Sequence, residues 1–435
     1  MSEALREKKF TIYTLGCKVN QYESDSMEDI LKKKGALVVS TNEPSDIVII
    51  NTCAVTAMAE KKSRQIIHRM KKQNPEAVCV VCGCYAQSGK DILEKDDTID
   101  IIVSNNRKKD IARILEEYYE REEVSDNYID INNTKEYESM VLYKPTEHTR
   151  AYVKVQDGCN NFCAYCIIPY VRGRIRSKSM KNVIFELTGL SNNGIKEVVI
   201  TGINLSSYMD EEKNGLTELL LAASKIEGIA RIRMGSLEPR VITRDFLEAI
   251  SKEEKICPHF HLSLQSACNE TLKRMNRKYT IEEYMERCNL IREYYDNPAI
   301  TTDVIVGFPG ETDQEFETTY NNLEKLNLYE MHIFKYSKRK GTVAADMVNQ
   351  VSEEIKNERS DKLLEMAQRH KAEFEALFKG KKVTILAEEC DKRKKQDGSE
   401  SFYLKGHTER YIHLEKEYDE EFCKSHINEF VDVIL

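Results

Sequence analysis

Three cysteines lie close together in the middle of the chain, within the sequence DGCNNFCAYCIIPYVRGRIR of residues 157–176. Cys159, Cys163 and Cys166 have the spacing C-x3-C-x2-C and follow a strand-like run, residues 152–156. Three thiolates on one short loop, here called the core triad, can bind three irons of a 4Fe–4S cluster and leave the fourth iron open. An open iron can chelate S-adenosylmethionine, which the cluster then cleaves to a radical. The alternative is structural zinc, which usually takes C-x2-C pairs and a fourth ligand.

A second set of cysteines is spread over the N-terminal part of the chain. Cys17, Cys53 and Cys84, here called the N-terminal triad, each follow an apolar strand-like run, and helical patterns separate the runs. Such alternation predicts a parallel sheet, whose strands share one carboxyl edge, so the three thiols should converge and hold a second cluster. The alternative is that they are buried free cysteines. Cys79 and Cys82 compete with Cys84 but lie within the strand-like run.

The composition excludes some classes of protein. Hydrophobic residues make up 41% and charged residues 32% of the 435-residue chain, as in ordinary globular domains. No apolar run approaches the roughly 20 residues of a membrane span, and the N-terminal sequence lacks the apolar core of a signal peptide. We therefore expect a cytoplasmic protein with no membrane partner, whose 13 cysteines serve metal binding rather than disulfides. With a net charge of −8, nucleic acid would have to bind to local basic patches.

The order of strand-like and helix-like segments predicts an α/β protein of three domains. Residues 8–122 form the parallel-sheet α/β domain. Residues 145–375 contain six strand-like runs separated by helical patterns, which predicts a partial (β/α)6 barrel with its chemistry at the carboxyl ends of the strands. Residues 376–435 contain short alternating runs, typical of a small antiparallel β-barrel that binds single-stranded nucleic acid. A polar linker, residues 122–149, joins the first two domains and carries an added edge strand at residues 140–143.

These motifs resemble one family, the methylthiotransferases among the radical S-adenosylmethionine enzymes. The matching cluster motifs are NTCAVT at residues 51–56, GCYAQ at 83–87 and CNNFCAYCIIPYVRGRIRS at 159–177. The other matches are TGIN at 201–204, LQSACNETLKRMNRKY at 264–279 and TTDVIVGFPGET at 301–312. TLGCKVNQYESD at 14–25 resembles the branch that acts on threonylcarbamoyladenosine in tRNA. Ala267 and Cys268 replace the more usual Gly-Ser, which is a conservative departure.

The resemblance implies an enzyme that replaces the C2 hydrogen of a tRNA adenosine by a methylthio group. It implies that the core triad holds the cluster that cleaves S-adenosylmethionine, and that the N-terminal triad, with Cys84 selected over Cys82 by the GCYAQ motif, holds a second 4Fe–4S cluster that supplies sulfur. A second S-adenosylmethionine donates the methyl group. The implied partners are a tRNA anticodon stem–loop, a sulfur source and an electron donor such as a flavodoxin or ferredoxin, with no DNA. The tail resembles the family's TRAM-like RNA-binding domain.

Two sets of residues are predicted to contact ligands, and no residue is assigned to acid–base chemistry. The predicted S-adenosylmethionine contacts are Tyr165, Gly202, Asn204, Ser236, Gln265 and Asp303. The alternative for each is an ordinary hydrogen-bonded polar residue of the barrel. The predicted contacts to RNA phosphates are Arg172, Arg174, Arg176, Arg277, Lys392 and Arg393. The alternative for these is salt bridging or a solvated loop.

Three other functions compete with methylthiolation of threonylcarbamoyladenosine. The same chemistry could act on isopentenyladenosine in tRNA, or on an aspartate of a ribosomal protein. The chain could also be a non-enzymatic iron–sulfur protein that binds RNA or carries sulfur. The intact C-x3-C-x2-C loop argues against this last function, and the GCKVNQYES sequence favours threonylcarbamoyladenosine over the other two.

Overall fold

The computed structural model describes residues 3–121, 124, 127–143, 145, 149–395 and 398–435. Its N-terminal part contains a five-stranded parallel sheet. Its strands, in the order β2-β1-β3-β4-β5, are β1 (Lys9–Thr14), β2 (Leu37–Val38), β3 (Ile47–Thr52), β4 (Val78–Gly83) and β5 (Ile101–Ile102). Its helices are α1 (Lys18–Lys33), α2 (Ala57–Gln73), α3 (Cys84–Ser88), α4 (Lys90–Leu93) and α5 (Ile111–Arg121). The apolar strands β3 and β4 are buried along their whole length, as expected for a parallel sheet covered on both faces.

The central part is a partial barrel. Its strands are β6 (Arg150–Asp157), β7 (Arg176–Ser177), β8 (Glu197–Gly202), β9 (Arg231–Met234), β10 (His259–His261), β11 (Ala299–Val306) and β12 (Glu330–Lys335). Strands β6, β8 and β9 pair in parallel, as do β10, β11 and β12, and isolated parallel bridges such as Leu237 to Leu262 join the two sets. These parallel strands confirm the predicted βα units. The short β7 was not predicted; it pairs antiparallel with β6.

Helices alternate with these strands. They are α6 (Ile168–Val171), α7 (Met180–Asn192), α8 (Leu216–Ser224), α9 (Arg244–Ile250), α10 (Asn269–Arg274), α11 (Ile281–Tyr294), α12 (Asp313–Leu326) and α13 (Glu353–Ala376). Helices α11 and α12 begin with capping boxes, in which Thr280 and Thr312 exchange hydrogen bonds with a glutamate three residues on. No helix of the described residues is long and apolar enough to cross a membrane.

The C-terminal part is an antiparallel sheet, as predicted. Its elements are β13 (Lys382–Lys394), β14 (Glu400–His407), β15 (His413–Tyr418), α14 (Glu420–Ser425) and β16 (Phe430–Ile434). The strand order is β15-β14-β13-β16, and a β-bulge between Ala387 and Glu389 bends the long strand β13. Buried side chains from β13, β14, α14 and β16 form its own small core.

This C-terminal sheet docks at the amino-terminal ends of the barrel strands. Arg231, the first residue of β9, donates a hydrogen bond to the carbonyl oxygen of Thr384 at 2.7 Å. Arg233 donates to the carbonyl oxygen of Glu409 at 2.8 Å, and the ring of Tyr411 stacks on His259 with 5.3 Å between centroids. The tail therefore closes the end of the barrel opposite to the cysteine loop, and its removal would expose buried arginines.

The segment at residues 140–143 is not the predicted edge strand. The carbonyl oxygen of Met140 accepts hydrogen bonds from Tyr22 Oη and Lys178 Nζ, both at 2.7 Å, and Leu142 N–H donates to Glu186 at 2.6 Å. Side chains thus satisfy the backbone groups that a neighbouring strand would otherwise pair. Other parts of the predicted linker, residues 122, 123, 125, 126, 144 and 146–148, lie outside the described residues. The domain limits at residues 122, 145 and 376 stay a prediction.

Candidate iron–sulfur and substrate site

The N-terminal triad lies at the carboxyl edge of the parallel sheet. Cys17 is the N-cap of α1, Cys53 follows β3, and Cys84 opens α3 directly after β4. Gly16 brings the first two loops together: it has φ 107°, and a Cβ there would lie 3.0 Å from the Cβ of Cys53. Cys82, by contrast, is fully buried in the hydrophobic core. The parallel topology therefore brings together three loops that are distant in sequence.

Arg172 connects this triad to the barrel. Its Nε donates a hydrogen bond to Cys84 Sγ at 3.3 Å, and its terminal nitrogens bind Glu23 at 2.8 and 3.0 Å. The same guanidinium donates to Asn20 at 2.6 Å and to Asp157 at 3.3 Å. The side chain is fully buried. The prediction that Arg172 contacts RNA is therefore wrong, because no phosphate can reach it.

Arg172 belongs to a buried group of charges between the parallel sheet and the barrel. Glu23 also pairs with Lys154 at 2.8 Å and Lys108 at 2.9 Å, and Asp157 pairs with Lys154 at 3.2 Å. Burial alone would raise the pKa of Glu23, but Arg172, Lys108 and Lys154 together hold it well below its usual range. The pKa of Asp157 is lowered in the same way, so the two carboxylates are charged, and each of the three cations has at least one of them as a partner.

The core triad lines a cavity at the carboxyl ends of the barrel strands, here called the triad cavity. Strand β6 ends at Asp157, and the loop after it carries Cys159, Cys163 and Cys166 to the cavity wall. Among the described residues of that wall there is no fourth cysteine and no histidine. Burial raises the pKa of Cys166 to about 12. Three thiols without a fourth cysteine or a histidine suit a cubane with one open iron better than a structural zinc site.

The triad cavity collects four of the six residues predicted to contact S-adenosylmethionine. These are Tyr165, Asn204, Ser236 and Gln265. Asn204 Nδ2 lies 3.9 Å from Cys159 Sγ. Gln265 has φ 74°, a conformation that is rare outside glycine and concentrates at functional sites.

The other two predicted contacts do not line the triad cavity. Gly202 ends β8, where a Cβ would lie 2.9 Å from the side chain of Gln156, so this glycine serves close packing of two strands. Asp303 lies further inside the barrel, on the face of β11 that also carries Ile305. Ile305 and Tyr165 pack against the same small hydrophobic cluster beneath the cysteine loop.

Arg277 is part of the triad cavity, where protein groups bind its guanidinium, and its contact with RNA stays a prediction. Its Nη1 donates a hydrogen bond to Cys163 Sγ at 3.3 Å, its Nε donates to Tyr279 Oη at 2.9 Å, and its Nη2 lies 3.5 Å from Glu238. The side chain is only 6% exposed. Glu238 and Asn161, which also line the cavity, hydrogen-bond to each other at 2.6 Å. The motif SLEPR, residues 236–240, already indicated Glu238 as a pocket residue, whereas no sequence signal pointed to Asn161.

The remaining predicted RNA contacts fall into two groups. Arg176 is buried and donates to the carbonyl oxygen of Arg172 at 2.8 Å, so that prediction is also wrong. Arg174 is exposed beside the cysteine loop. In the tail, Lys392 and Arg393 are exposed but form ion pairs with Glu400 at 2.7 Å and Glu415 at 2.6 Å. Contact of Arg174, Lys392 and Arg393 with RNA stays a prediction.

Polar side chains face the barrel interior next to the triad cavity. His261, Asp303 and His332 lie on the adjacent strands β10, β11 and β12, with ligand-type atoms within 4.8 Å of one another. Both ring nitrogens of His261 have protein partners: Nδ1 lies 2.9 Å from Thr301 Oγ1, and Nε2 lies 3.4 Å from Asp303. The group is therefore organised as a hydrogen-bonded wall rather than as a free set of metal ligands.

Comparison with known proteins identifies the family. A model of the radical SAM superfamily matches residues 153–323, and a model described as Uncharacterized protein family UPF0004 matches residues 9–104. The threonylcarbamoyladenosine tRNA methylthiotransferase MtaB of Bacillus subtilis is 38% identical over 402 residues, which are 92% of this chain and 88% of the relative. The chain belongs to the radical S-adenosylmethionine tRNA methylthiotransferases.

Other relatives of this methylthiotransferase bear two different names. The MtaB of Aquifex aeolicus is 41% identical over 378 residues, 87% of this chain and 92% of the relative. The tRNA-2-methylthio-N(6)-dimethylallyladenosine synthase of Thermoanaerobacter pseudethanolicus is 36% identical over 406 residues, 90% of this chain and 86% of the relative. The enzyme is therefore a tRNA methylthiotransferase that uses S-adenosylmethionine and two 4Fe–4S clusters.

The fold of the enzyme is shared with a more distant protein. The structure of the radical S-adenosylmethionine methyltransferase TsrM from Kitasatospora setae superposes with a TM-score of 0.55 at 14% identity. The match covers 78% of this chain and 77% of TsrM. At this identity the likeness concerns the fold alone.

The iron content of the methylthiotransferase tests both triads. Anaerobically reconstituted enzyme should hold about eight irons per chain, since two cubanes carry four each. Changing the three core-triad cysteines to alanine should leave about half of the iron, because the N-terminal triad stays intact. Iron and zinc are counted by elemental analysis. Stoichiometric zinc in anaerobically purified enzyme would show that a triad is a zinc site.

Proposed function

We propose that this methylthiotransferase acts on the adenosine beside the tRNA anticodon that already carries a threonylcarbamoyl group, and produces 2-methylthio-N6-threonylcarbamoyladenosine. The observation that carries this proposal is the polar barrel interior, where His261, Asp303 and His332 lie beside the triad cavity. A threonylcarbamoyl group carries hydroxyl, amide and carboxylate groups, which polar side chains can bind, whereas a dimethylallyl group is bound best by an apolar pocket. The MtaB relatives of Bacillus subtilis and Aquifex aeolicus bear the name of the same substrate, which supports the proposal.

The cysteine triads are proposed to divide the cofactors between them. The core triad would hold the cluster that binds S-adenosylmethionine, and the N-terminal triad would hold the second cluster. When bound, these groups supply radical removal of the C2 hydrogen, the sulfur atom and the methyl group. Tyr165, Asn204, Ser236 and Gln265 would orient S-adenosylmethionine, since they line the triad cavity.

Two buried arginines hold the triads in place. Arg172 donates to a sulfur of the N-terminal triad, and Arg277 donates to a sulfur of the core triad, both at 3.3 Å. Hydrogen bonds to cluster sulfurs tune the reduction potential of an iron–sulfur cluster. Arg172 also binds Glu23 from the parallel sheet and Asp157 from the barrel, so it fixes the distance between the two halves of the site.

The tail does not cover the carboxyl end of the barrel, because it docks at the other end. A C2 hydrogen inside a base stack is out of reach, so the target adenosine has to be turned outward, which an anticodon loop permits more easily than a duplex. The guanidinium of the exposed Arg174 lies 4.6 Å from the ring centroid of Phe162, which packs edge-on against Tyr170. We propose that this group, on the loop of the core triad, contacts the anticodon loop.

Nucleoside analysis tests the function in the cell. Hydrolysed tRNA from a strain lacking this chain should lose 2-methylthio-N6-threonylcarbamoyladenosine and accumulate the precursor without the methylthio group. Restoring the gene should reverse both changes, and a gene encoding Cys53→Ala should not. Loss of 2-methylthio-N6-dimethylallyladenosine instead would assign the enzyme to the other substrate. We also propose that an electron donor, such as a flavodoxin or ferredoxin, delivers electrons to this reaction and that a separate sulfur source delivers its sulfur.

A further inference from the structure

The chain between β12 and α13 crosses the seam between the barrel and the parallel-sheet domain. It leaves the carboxyl end of β12, where the triad cavity also lies, and its first part, residues 337–345, is here called the seam loop. Ala344 N–H donates a hydrogen bond to the carbonyl oxygen of Ala164 at 2.8 Å. A Cβ at Gly341 would lie 3.7 Å from the side chain of Ile167. On the barrel side, the seam loop therefore packs against the loop that carries the core triad.

On its other side, the seam loop contacts the start of α2, which follows Cys53 of the N-terminal triad. Ala57 N–H donates a hydrogen bond to Ser337 Oγ at 3.2 Å, and Arg339 forms an ion pair with Glu60. The side chain of Arg339 is only 6% exposed, so this pair belongs to the interface between the two domains. The seam loop thus joins the rims of the two triads.

Hydrogen bonds of its own close the seam loop. The carbonyl oxygen of Arg339 accepts from Thr342 Oγ1 at 2.7 Å and from Thr342 N–H at 3.1 Å. Gln350 Nε2 donates to the carbonyl oxygen of Ala344 at 3.1 Å, which ties the far end of the loop to the segment before α13. A loop that is organised in this way loses little conformational freedom when a ligand binds to it.

Two lysines of the seam loop are available to a ligand. Lys338 and Lys340 flank the buried Arg339, and both are exposed. Neither has a hydrogen-bond or ion-pair partner among the residues that the structure describes. The exposed cations of the tail differ in this respect, because Lys392 and Arg393 pair with glutamates. The seam loop therefore carries positive charge that the protein itself does not neutralise.

The neighbouring part of the parallel-sheet domain has the same character. Lys61 and Lys62 lie on α2, and both are exposed without a partner in the described ranges. Val55 and Met58, just before and within the first turn of α2, are 51% and 70% exposed. In a chain whose net charge is −8, unpaired lysines beside exposed apolar side chains indicate a surface for an anionic ligand that also makes apolar contacts.

We propose that the seam loop binds backbone phosphates of the tRNA anticodon stem–loop through Lys338 and Lys340. This inference rests on the anticodon loop named in the proposed function, and it holds for either N6 substituent of the adenosine. The target base has to reach both triads, so the nucleotides beside it have to cross the seam that this loop spans. RNA is favoured over a protein partner because the substrate alone has to reach both triads together. Unpaired lysines are what phosphates require.

The test compares the loop variant Lys338→Met/Lys340→Met with the control variant Lys225→Met/Lys252→Met. Lys225 ends α8 and Lys252 follows α9, so both are exposed at the amino-terminal end of the barrel and their removal changes the net charge equally. A third variant, Lys338→Arg/Lys340→Arg, keeps the charge of the loop.

The ligands are labelled anticodon stem–loops that carry threonylcarbamoyladenosine or dimethylallyladenosine. Their dissociation constants are measured by fluorescence anisotropy over a series of salt concentrations. Iron content and thermal midpoints show that each variant is folded and retains both clusters.

Each phosphate contact contributes about 0.7–0.9 to the slope of the logarithm of affinity against the logarithm of salt concentration. The loop variant should therefore lose about 1.5 of this slope and bind both stem–loops about tenfold or more weakly at about 0.1 M salt. The arginine variant and the control variant should keep the slope of the unchanged enzyme.

Equal slopes and dissociation constants for the loop variant and the control variant, with full iron content, would overturn this inference. Slower reduction of the loop variant by flavodoxin, in that case, would assign the two lysines to the electron donor instead. Preference of the unchanged enzyme for the dimethylallylated stem–loop would contradict the proposed substrate, whereas the difference between the loop and control variants would still support the phosphate contacts.

Discussion

Replacing Cys163 by alanine should abolish both the reductive cleavage of S-adenosylmethionine and methylthiolation, whereas replacing Cys53 should abolish only methylthiolation. Cys163 lines the triad cavity together with the predicted S-adenosylmethionine contacts, and Cys53 belongs to the separate edge of the parallel sheet. Both reactions are followed with reconstituted enzyme and dithionite, as 5′-deoxyadenosine by chromatography and as modified nucleoside by mass spectrometry. We expect methylthiolation below the detection limit in both variants.

Cys288→Ala is the matched control for these two variants. Cys288 is fully buried in α11, so the change removes another buried thiol, from a part of the barrel that belongs to neither triad. It should retain both reactions. Loss of cleavage in Cys53→Ala, in protein whose core-triad cluster is intact by spectroscopy, would show that the two triads do not have separate roles.

Arg172→Met should be among the most destabilising single substitutions in the enzyme. Removing the guanidinium leaves Glu23 and Asp157 buried with fewer partners, and breaking a buried ion pair on one side costs about 3–5 kcal/mol. Arg174→Met, two residues along, removes an exposed guanidinium and should change stability by no more than about 0.5 kcal/mol. Thermal midpoints of the anaerobic enzymes measure the difference, with a fall of several degrees expected for Arg172→Met only.

A double variant separates the loss of charge pairing from the loss of packing. Glu23→Gln alone should also destabilise the enzyme, because Lys154 and Lys108 lose their shared carboxylate, and combined with Arg172→Met it should cost less than the sum of the two single changes, because the Arg172–Glu23 pair is lost only once. Equal midpoints for Arg172→Met and Arg174→Met would contradict the burial of Arg172. We expect Arg174→Met to bind tRNA more weakly than the unchanged enzyme. The dissociation constants for tRNA are measured separately, at one fixed salt concentration.

Cysteine spacing predicted the two triads because each cysteine is placed by its own strand or loop. The rule that parallel strands share a carboxyl edge brought Cys17 and Cys53 together with the end of the third strand, and the resemblance of GCYAQ to the family motif selected Cys84 there over Cys82. The burial and the partners of Arg172 and Arg277 could not be predicted by such local reasoning. Arg172 is separated from Glu23 by 149 positions in sequence, so no window of neighbouring residues shows that this basic residue is buried and paired.

The barrel interior illustrates the same limit. His261, Asp303 and His332 come from three different strands, and only the register between β10, β11 and β12 brings them together. The strands themselves were predictable from their apolar runs. The docking of the tail under the barrel depended on Arg231 and Arg233, whose hydrogen bonds to the tail go to backbone carbonyl groups and therefore leave no trace in the side-chain pattern.

The most direct test of the proposed function is a side-by-side assay of two modified tRNAs with the reconstituted enzyme. One tRNA carries threonylcarbamoyladenosine and the other carries dimethylallyladenosine at the position beside the anticodon, and the products are quantified by nucleoside mass spectrometry. The polar barrel interior predicts rapid formation of 2-methylthio-N6-threonylcarbamoyladenosine and little product from the dimethylallylated tRNA. Equal or greater turnover of the dimethylallylated tRNA would contradict it.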